Sequence, residues 1–176
     1  MKTIGIITIH KIYNYGSVFQ AYALQHVCEE LGFKVEIINY KFPNQFHADN
    51  KYKAYGNTQC NEPKWIKILF AKALMRQHKG IDTFVKKYQH LSSRSYSSPD
   101  ELKKSIPVYD VYITGSDQLW NPTQRFCLEP FFLTFVPNNA VKISYASSIG
   151  ISSLTNIEKN DFKKWLSSYN AISVRE

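Results

Sequence analysis

The chain has 176 residues, 44% of them hydrophobic, 15% aromatic and 20% charged, and a formal net charge of +8. The length fits one domain of roughly 100–200 residues, the composition excludes a disordered chain, and no run approaches the ~20 apolar residues of a membrane span. The charge excess is local: Lys41 to Lys104 holds 13 basic residues against 5 acidic ones, while the remainder holds nine of each.

Thr3 to Ile9 is β-branched and apolar, which predicts a first strand; without a small-residue cleavage site it is not a signal peptide. "HKIYNYGS" then leads into an apolar-periodic run, Val18 to Leu31, that stops at Gly32, the pattern of a helix with a glycine just past its end. Lys34 to Tyr40 is a second strand, so the first forty residues form a βαβ unit, which starts a parallel sheet by a right-handed crossover. Phe42 to Glu62 is polar and without periodicity and reads as a long loop.

A helix is predicted over Pro63 to Lys79, with Trp65, Ile66, Leu69, Phe70, Ala73 and Leu74 on about half the circumference and Lys67, Lys72, Arg76 and Lys79 mostly on the other. A second short helix is predicted over Ile81 to Leu91, and a third where Ser98 caps Pro99, Asp100 and Glu101. Strands follow at Val108 to Gly115, Phe131 to Val136 and Val141 to Ala146. Thr155 and Glu158 form a capping-box pattern ahead of Phe162, Trp165, Leu166 and Tyr169, and Ala171 to Val174 is a last strand. A buried parallel strand normally runs on through a loop into a covering helix, so a chain stopping at Glu176 is expected to be part of something longer.

Cys28, Cys60 and Cys127 are odd in number and far apart, which argues against a disulfide framework or a CxxC pair and for a reducing cytoplasm. His10, His26, His47, His78 and His90 show no HxxxH or HExxH spacing, so no metal site is expected. The chemistry lies in three polar clusters at strand ends, where open α/β sheets bind ligands. In "NYGS", Asn14 to Ser17, Gly16 permits close approach to backbone and the helix N-terminus favours an anion or a sugar hydroxyl; the plainer reading is a turn glycine with a capping serine. The stretch is not a GxGxxG fingerprint. In "GSDQLWN", Gly115 frees the backbone after a strand, Asp117 accepts from amides or sugar hydroxyls, and Leu119 and Trp120 anchor the loop; an Asx-type turn stapled by a tryptophan fits equally. "YASSIG", Tyr145 to Gly150, is a third strand running into small polar residues.

Taken together, "NYGSVFQAYALQ", "GSDQLWNP", "FFLTFVP", "KISYASSIG" and the terminal "ISVRE" resemble the polysaccharide pyruvyl transferase family. The resemblance implies an α/β fold: a Rossmann-like parallel sheet with helices on both faces, similar to one half of a two-domain GT-B transferase. Residues 1–176 would then be the N-terminal domain, with a variable basic helical insertion at about 41–105 and the C-terminal domain missing. It implies transfer of pyruvate from phosphoenolpyruvate, a co-substrate and not a cofactor, onto two hydroxyls of a sugar or lipid-linked oligosaccharide acceptor in surface polysaccharide biosynthesis. Asp117 and Arg175 are the implied catalytic residues. Asn14, Gly16, Ser17, Gln20, Gly115, Ser116, Gln118, Asn121 and Ser147 are the implied substrate-binding ones. A glycosyltransferase-like domain that binds a sugar or nucleotide, and a non-catalytic Rossmann-like binding module, are the alternative readings.

Five expectations follow. The sheet has about five strands ordered 3-2-1-4-5. Asn14, Gly16, Ser17, Ser116 and Asp117 share one cleft at its carboxyl edge. The basic helix either packs into the core or lies against the inner face of a membrane. Nucleic acid is not a partner. The chain by itself is catalytically silent.

Overall fold

The computed structural model describes residues 1–41, 64–123 and 129–175, with the side chains of all of these except 64–70 and 74. In chain order the elements are β1 (Thr3–Ile7), α1 (Tyr15–Glu30), β2 (Lys34–Tyr40), α2 (Lys64–Tyr88), β3 (Leu91–Tyr96), α3 (Pro99–Lys104), β4 (Val111–Thr114), a 3-10 turn (Glu129–Phe132), β5 (Val141–Ser147), α4 (Asn156–Leu166) and β6 (Ala171–Val174). The strands form one six-stranded sheet in the order β3-β2-β1-β4-β5-β6, and every neighbouring pair is parallel. The arrangement is Rossmann-like; the expected numbering of the order holds, but its third strand is Leu91–Tyr96, which does not read as a strand in the sequence, and a sixth lies beyond β5.

Both faces of the central strands are buried, which is why they read as continuous apolar runs. On one face Ile4 and Ile6 of β1 pack with Val35, Ile37 and Ile113 beneath Ala21, Leu24 and Cys28 of α1. On the other, Ile7, Ile9, Ile38 and Tyr40 meet Leu102 of α3, Phe131 and Phe132 of the 3-10 turn, and Phe162 of α4. Each helix stops or starts where its ends are satisfied. Asn14 caps α1 by accepting from the Ser17 amide, and Gly32, at φ 88°, takes the left-handed conformation that closes it. Ser98 caps α3 with Pro99 behind it, and Thr155 and Glu158 make the reciprocal capping box of α4.

Three expectations are corrected. Residues 131–136 are not a strand: Glu129–Phe132 is a 3-10 turn, and Leu133 follows at φ 53°. An unbroken apolar run signals burial on all sides, which a compact turn in the core meets as well as a strand does. The two helices divided at Gly80 are one helix, α2, held together because Ile81 and Val85 pack on Val18 of α1. Leu91 does not end a helix; it opens β3, paired with Ile37 of β2. Ser92 and Tyr96 are the buried residues of that edge strand, and Ser93, Arg94 and Ser95 are exposed. The loop reading of 42–62 and the apolar side assigned to Trp65, Ile66, Leu69, Phe70 and Leu74 fall outside the described residues and side chains; Ala73 is exposed.

Candidate functional site

Strand order reverses at β1: β2 and β3 lie to one side and β4, β5 and β6 to the other. The carboxyl ends of β1 and β4 therefore diverge into two loops with a crevice between them. One loop ends in Asn14 and the first turn of α1; the other is Gly115 to Asn121. The expected cluster forms there. The Ser17 hydroxyl donates to Asp117 Oδ2 at 3.0 Å, a contact between residues 100 apart in the chain. Asp117 Oδ1 accepts from the Gln118 amide at 2.8 Å.

Beneath this contact lies a fixed polar frame. The Gln20 amide nitrogen donates to Thr8 Oγ1 at 2.9 Å, Ile9 O at 3.0 Å and Ser17 O at 2.9 Å, and its oxygen accepts from the Ser116 hydroxyl at 2.6 Å. Thr8 Oγ1 in turn donates to Ser116 O. Gly115 lets the two strands approach, since a Cβ there would stand 2.9 Å from Thr8 Cβ. The Ser147 hydroxyl, fully buried, donates to Gly115 O at 3.1 Å, and the Arg175 amide donates to Ser147 O. Gln118 Oε1 accepts from Asn121, and both press against Gly150, which at φ 66° has no room for a side chain.

Trp120 answers why an aromatic follows the polar tip. It is buried, its indole N–H donates to Phe131 O at 2.9 Å, and its ring stacks on Phe132 with centroids 5.0 Å apart. Its backbone amide donates to Ser148 O, and the Ser148 amide to Asp117 O. The tip is thus tied to β5 on one side and to α1 on the other. Within that clamp Asp117 sits at φ 100°, a conformation that L residues rarely adopt.

The structure sorts the expected site residues by availability. Gln20, Ser116, Ser147 and buried Asn121 have their polar groups engaged in the frame. Asp117 and Gln118 are half-exposed and Asn14 is exposed, so these three present polar atoms to solvent. Gly16 lies in the first turn of α1, where a Cβ would meet, among the described residues, only the Asn14 side chain. Arg175 is exposed at the end of β6. The Asp117 carboxylate meets the first turn of α1 through the Ser17 hydroxyl, while the Ser17 amide is capped by Asn14, so a carboxylate acceptor suited to hydroxyl donors stands beside that turn.

Two residues of this edge were not anticipated. Thr8 links the loops, and His10 is 1% exposed, with Nδ1 beside Thr8 O and Nε2 without a hydrogen-bond partner among the described residues. Burial pushes the His10 imidazole below its ordinary pKa, so it is held neutral. Thr8 is embedded in a run that reads simply as strand, and the only signal for His10 was its place just past that strand's carboxyl end. Among the described residues no group of His, Cys, Asp or Glu is placed to hold a metal ion, and no helix is long and apolar enough to cross a membrane.

The family model for polysaccharide pyruvyl transferases matches residues 14–176. The chain belongs to the polysaccharide pyruvyl transferase family, a family of transferases. No significant match was found among curated proteins or among solved structures. The matched span opens at Asn14 and takes in every loop of the crevice except the carboxyl end of β1.

Proposed function

We propose that the chain acts in the cytoplasm in surface polysaccharide biosynthesis, binding the sugar acceptor at the β1–β4 crevice for pyruvyl transfer from phosphoenolpyruvate. In that reaction one sugar hydroxyl adds to the enol carbon while the methylene carbon takes a proton. A second hydroxyl then displaces phosphate, leaving a cyclic ketal on the sugar and inorganic phosphate in solution. The protons released by the two hydroxyls end on the new methyl group and on the phosphate. Asp117 is the acceptor for an attacking hydroxyl, Asn14 and Gln118 hold neighbouring hydroxyls, and Arg175 faces the donor's carboxylate or phosphate.

The observation that carries this reading is the Asp117 carboxylate, fixed by Ser17 at the switch point in a left-handed backbone while the crevice around it offers acceptors. An acceptor-rich edge supplies the hydroxyl side of the chemistry and only part of a site for a trianionic donor. The 176-residue chain by itself therefore leaves phosphate release at background. The test is calorimetric titration of a glycoside panel, phosphoenolpyruvate and nucleotide sugars into the chain, with phosphate release followed in parallel. The expected result is glycoside binding that Asp117→Asn weakens about 10- to 100-fold, the loss typical of a charged hydrogen-bond acceptor. A preference for nucleotide sugars, or glycoside binding indifferent to Asp117→Asn, overturns the acceptor reading. Turnover that is lost on Asp117→Ala overturns the silence of the isolated chain.

A further inference from the structure

The rim beside the crevice carries a second pattern. Helix α2 has seven basic residues and one acid, Asp82. Of the basic residues whose side chains are described, Lys72, Arg76, Lys79, Lys86 and Lys87 are all exposed, and the first three, spaced four and three apart, make one stripe. The ring of Tyr13 stacks on His78 at 3.5 Å, Phe19 meets Phe84 edge-on at 5.0 Å, and Gln25 donates to Tyr88 O. α1 and α2 thus run side by side, with each residue of α1 level with one about 65 positions later. On that register residues 71–78 of α2 run about 10 Å past the first turn of α1, at 1.5 Å per residue.

This overhang borders the loop that holds Asn14. On it and on the start of α1 stand apolar groups that the fold leaves in solvent: Met75 is 70% exposed, and Tyr13, Tyr15 and Phe19 are 45%, 48% and 49% exposed. At 100° per residue Met75 shares the stripe's face of α2, turned away from α1, and basic side chains flanking an exposed apolar one suit a lipid headgroup layer: the charges meet anionic phosphates and the apolar group enters the interface. A single-stranded nucleic acid needs separate aromatic faces on which bases stack. Here the faces are turned to one another, Tyr13 on His78, and Phe19 between Tyr15 and Phe84.

We propose that the α2 stripe Lys72, Arg76 and Lys79, with Met75, docks the protein on an anionic phospholipid surface at this overhang. The proposal depends on surface chemistry alone and stands or falls apart from the transferase reading. It is tested by sedimenting the chain with phosphatidylglycerol–phosphatidylcholine vesicles and with phosphatidylcholine vesicles. The expected result is binding to the anionic vesicles alone, reversed by salt. The triple variant K72Q/R76Q/K79Q is expected to bind on the order of 100-fold more weakly, since each basic residue near an anionic leaflet contributes about fivefold. Because these side chains are exposed, the variant keeps its far-ultraviolet circular dichroism and melting temperature. Met75→Ser provides the apolar arm and weakens binding without changing its salt dependence. Absence of wild-type binding, equal binding to both vesicle types, or a triple variant that binds like the parent overturns the proposal. So does tighter binding to a single-stranded oligonucleotide than to anionic vesicles.

Discussion

Asp117 keeps a φ of 100° because its neighbours over-determine it: Ser17 holds one carboxylate oxygen, the Gln118 amide the other, and the Leu119 and Ser148 amides its carbonyl. A residue in so sparse a region costs about 1–3 kcal/mol. Glycine reaches the same backbone without that cost, so Asp117→Gly removes the strain while losing two hydrogen bonds of about 1 kcal/mol each. Asp117→Ala loses the same bonds and keeps the strain. The expected outcome, read by urea denaturation, is that Asp117→Gly has nearly parental stability while Asp117→Ala is destabilised by about 1–3 kcal/mol, and that neither binds glycosides. At this scale the sequence shows Asn14, Ser116 and Asp117 as small polar residues beside a glycine at a strand end, a pattern that a plain turn or cap produces equally, so their meeting in space is legible only in the structure. It hides Thr8, since a polar residue inside a β-branched run looks like part of the strand until its neighbours are known, and His10, since a lone histidine just past a strand carries no spacing signal.

The length of α2 turns on Gly80. A glycine inside a helix lowers its stability by about 0.5–1 kcal/mol relative to alanine, enough for a pattern to read as two helices. The helix runs through it because the apolar stripe continues: Ile81, Phe84 and Val85 keep packing on α1. Among the described residues no atom lies within 4 Å of where a Gly80 Cβ would stand, so Gly80→Ala is expected to stabilise the protein by about 0.5–1 kcal/mol. Thermal denaturation checks it, with a rise in Tm of about 1–4 °C expected for a chain of this size; a lower Tm would show that the helix is broken there. The elements legible in the sequence were the capped helices α1, α3 and α4 and the apolar strands β1, β2, β4, β5 and β6. β3 was not, because an edge strand with an exposed Ser-Arg-Ser centre carries no alternation.

For the whole molecule, the strand order was legible because a βαβ start and later apolar strands leave few topologies. Its stability, however, carries a charge that no pattern reveals. Lys142 in β5 is 1% exposed and its ammonium donates to Ser168 Oγ at 3.1 Å; its other neighbours offer no carboxylate among its described contacts. Burial holds its pKa below the ordinary lysine value. The unfolded chain therefore binds the more protons, and the penalty is complete below the folded-state pKa. It is relieved as the pH rises from there towards the unfolded value of about 10.4. Lys142→Met is expected to raise the Tm at neutral pH, with the gap between variant and parent narrowing towards alkaline pH. Melts taken across that range check both the sign and the window.

The central pair of the sheet has a consequence for how the protein is made. β1 pairs with β4 through Ile4 and Val111, residues more than a hundred positions apart, and the Ser17–Asp117 contact closes a loop of the same order. At about 5–20 residues per second on the ribosome, β1 emerges some 5–20 s before its partner exists. During that interval β1 has only β2 to pair with, and β2 only β3, so any sheet formed then leaves one side of β1 open. The crevice is built late in synthesis: a nascent chain that has not yet delivered β4 holds Asn14 and Ser17 with nothing opposite them.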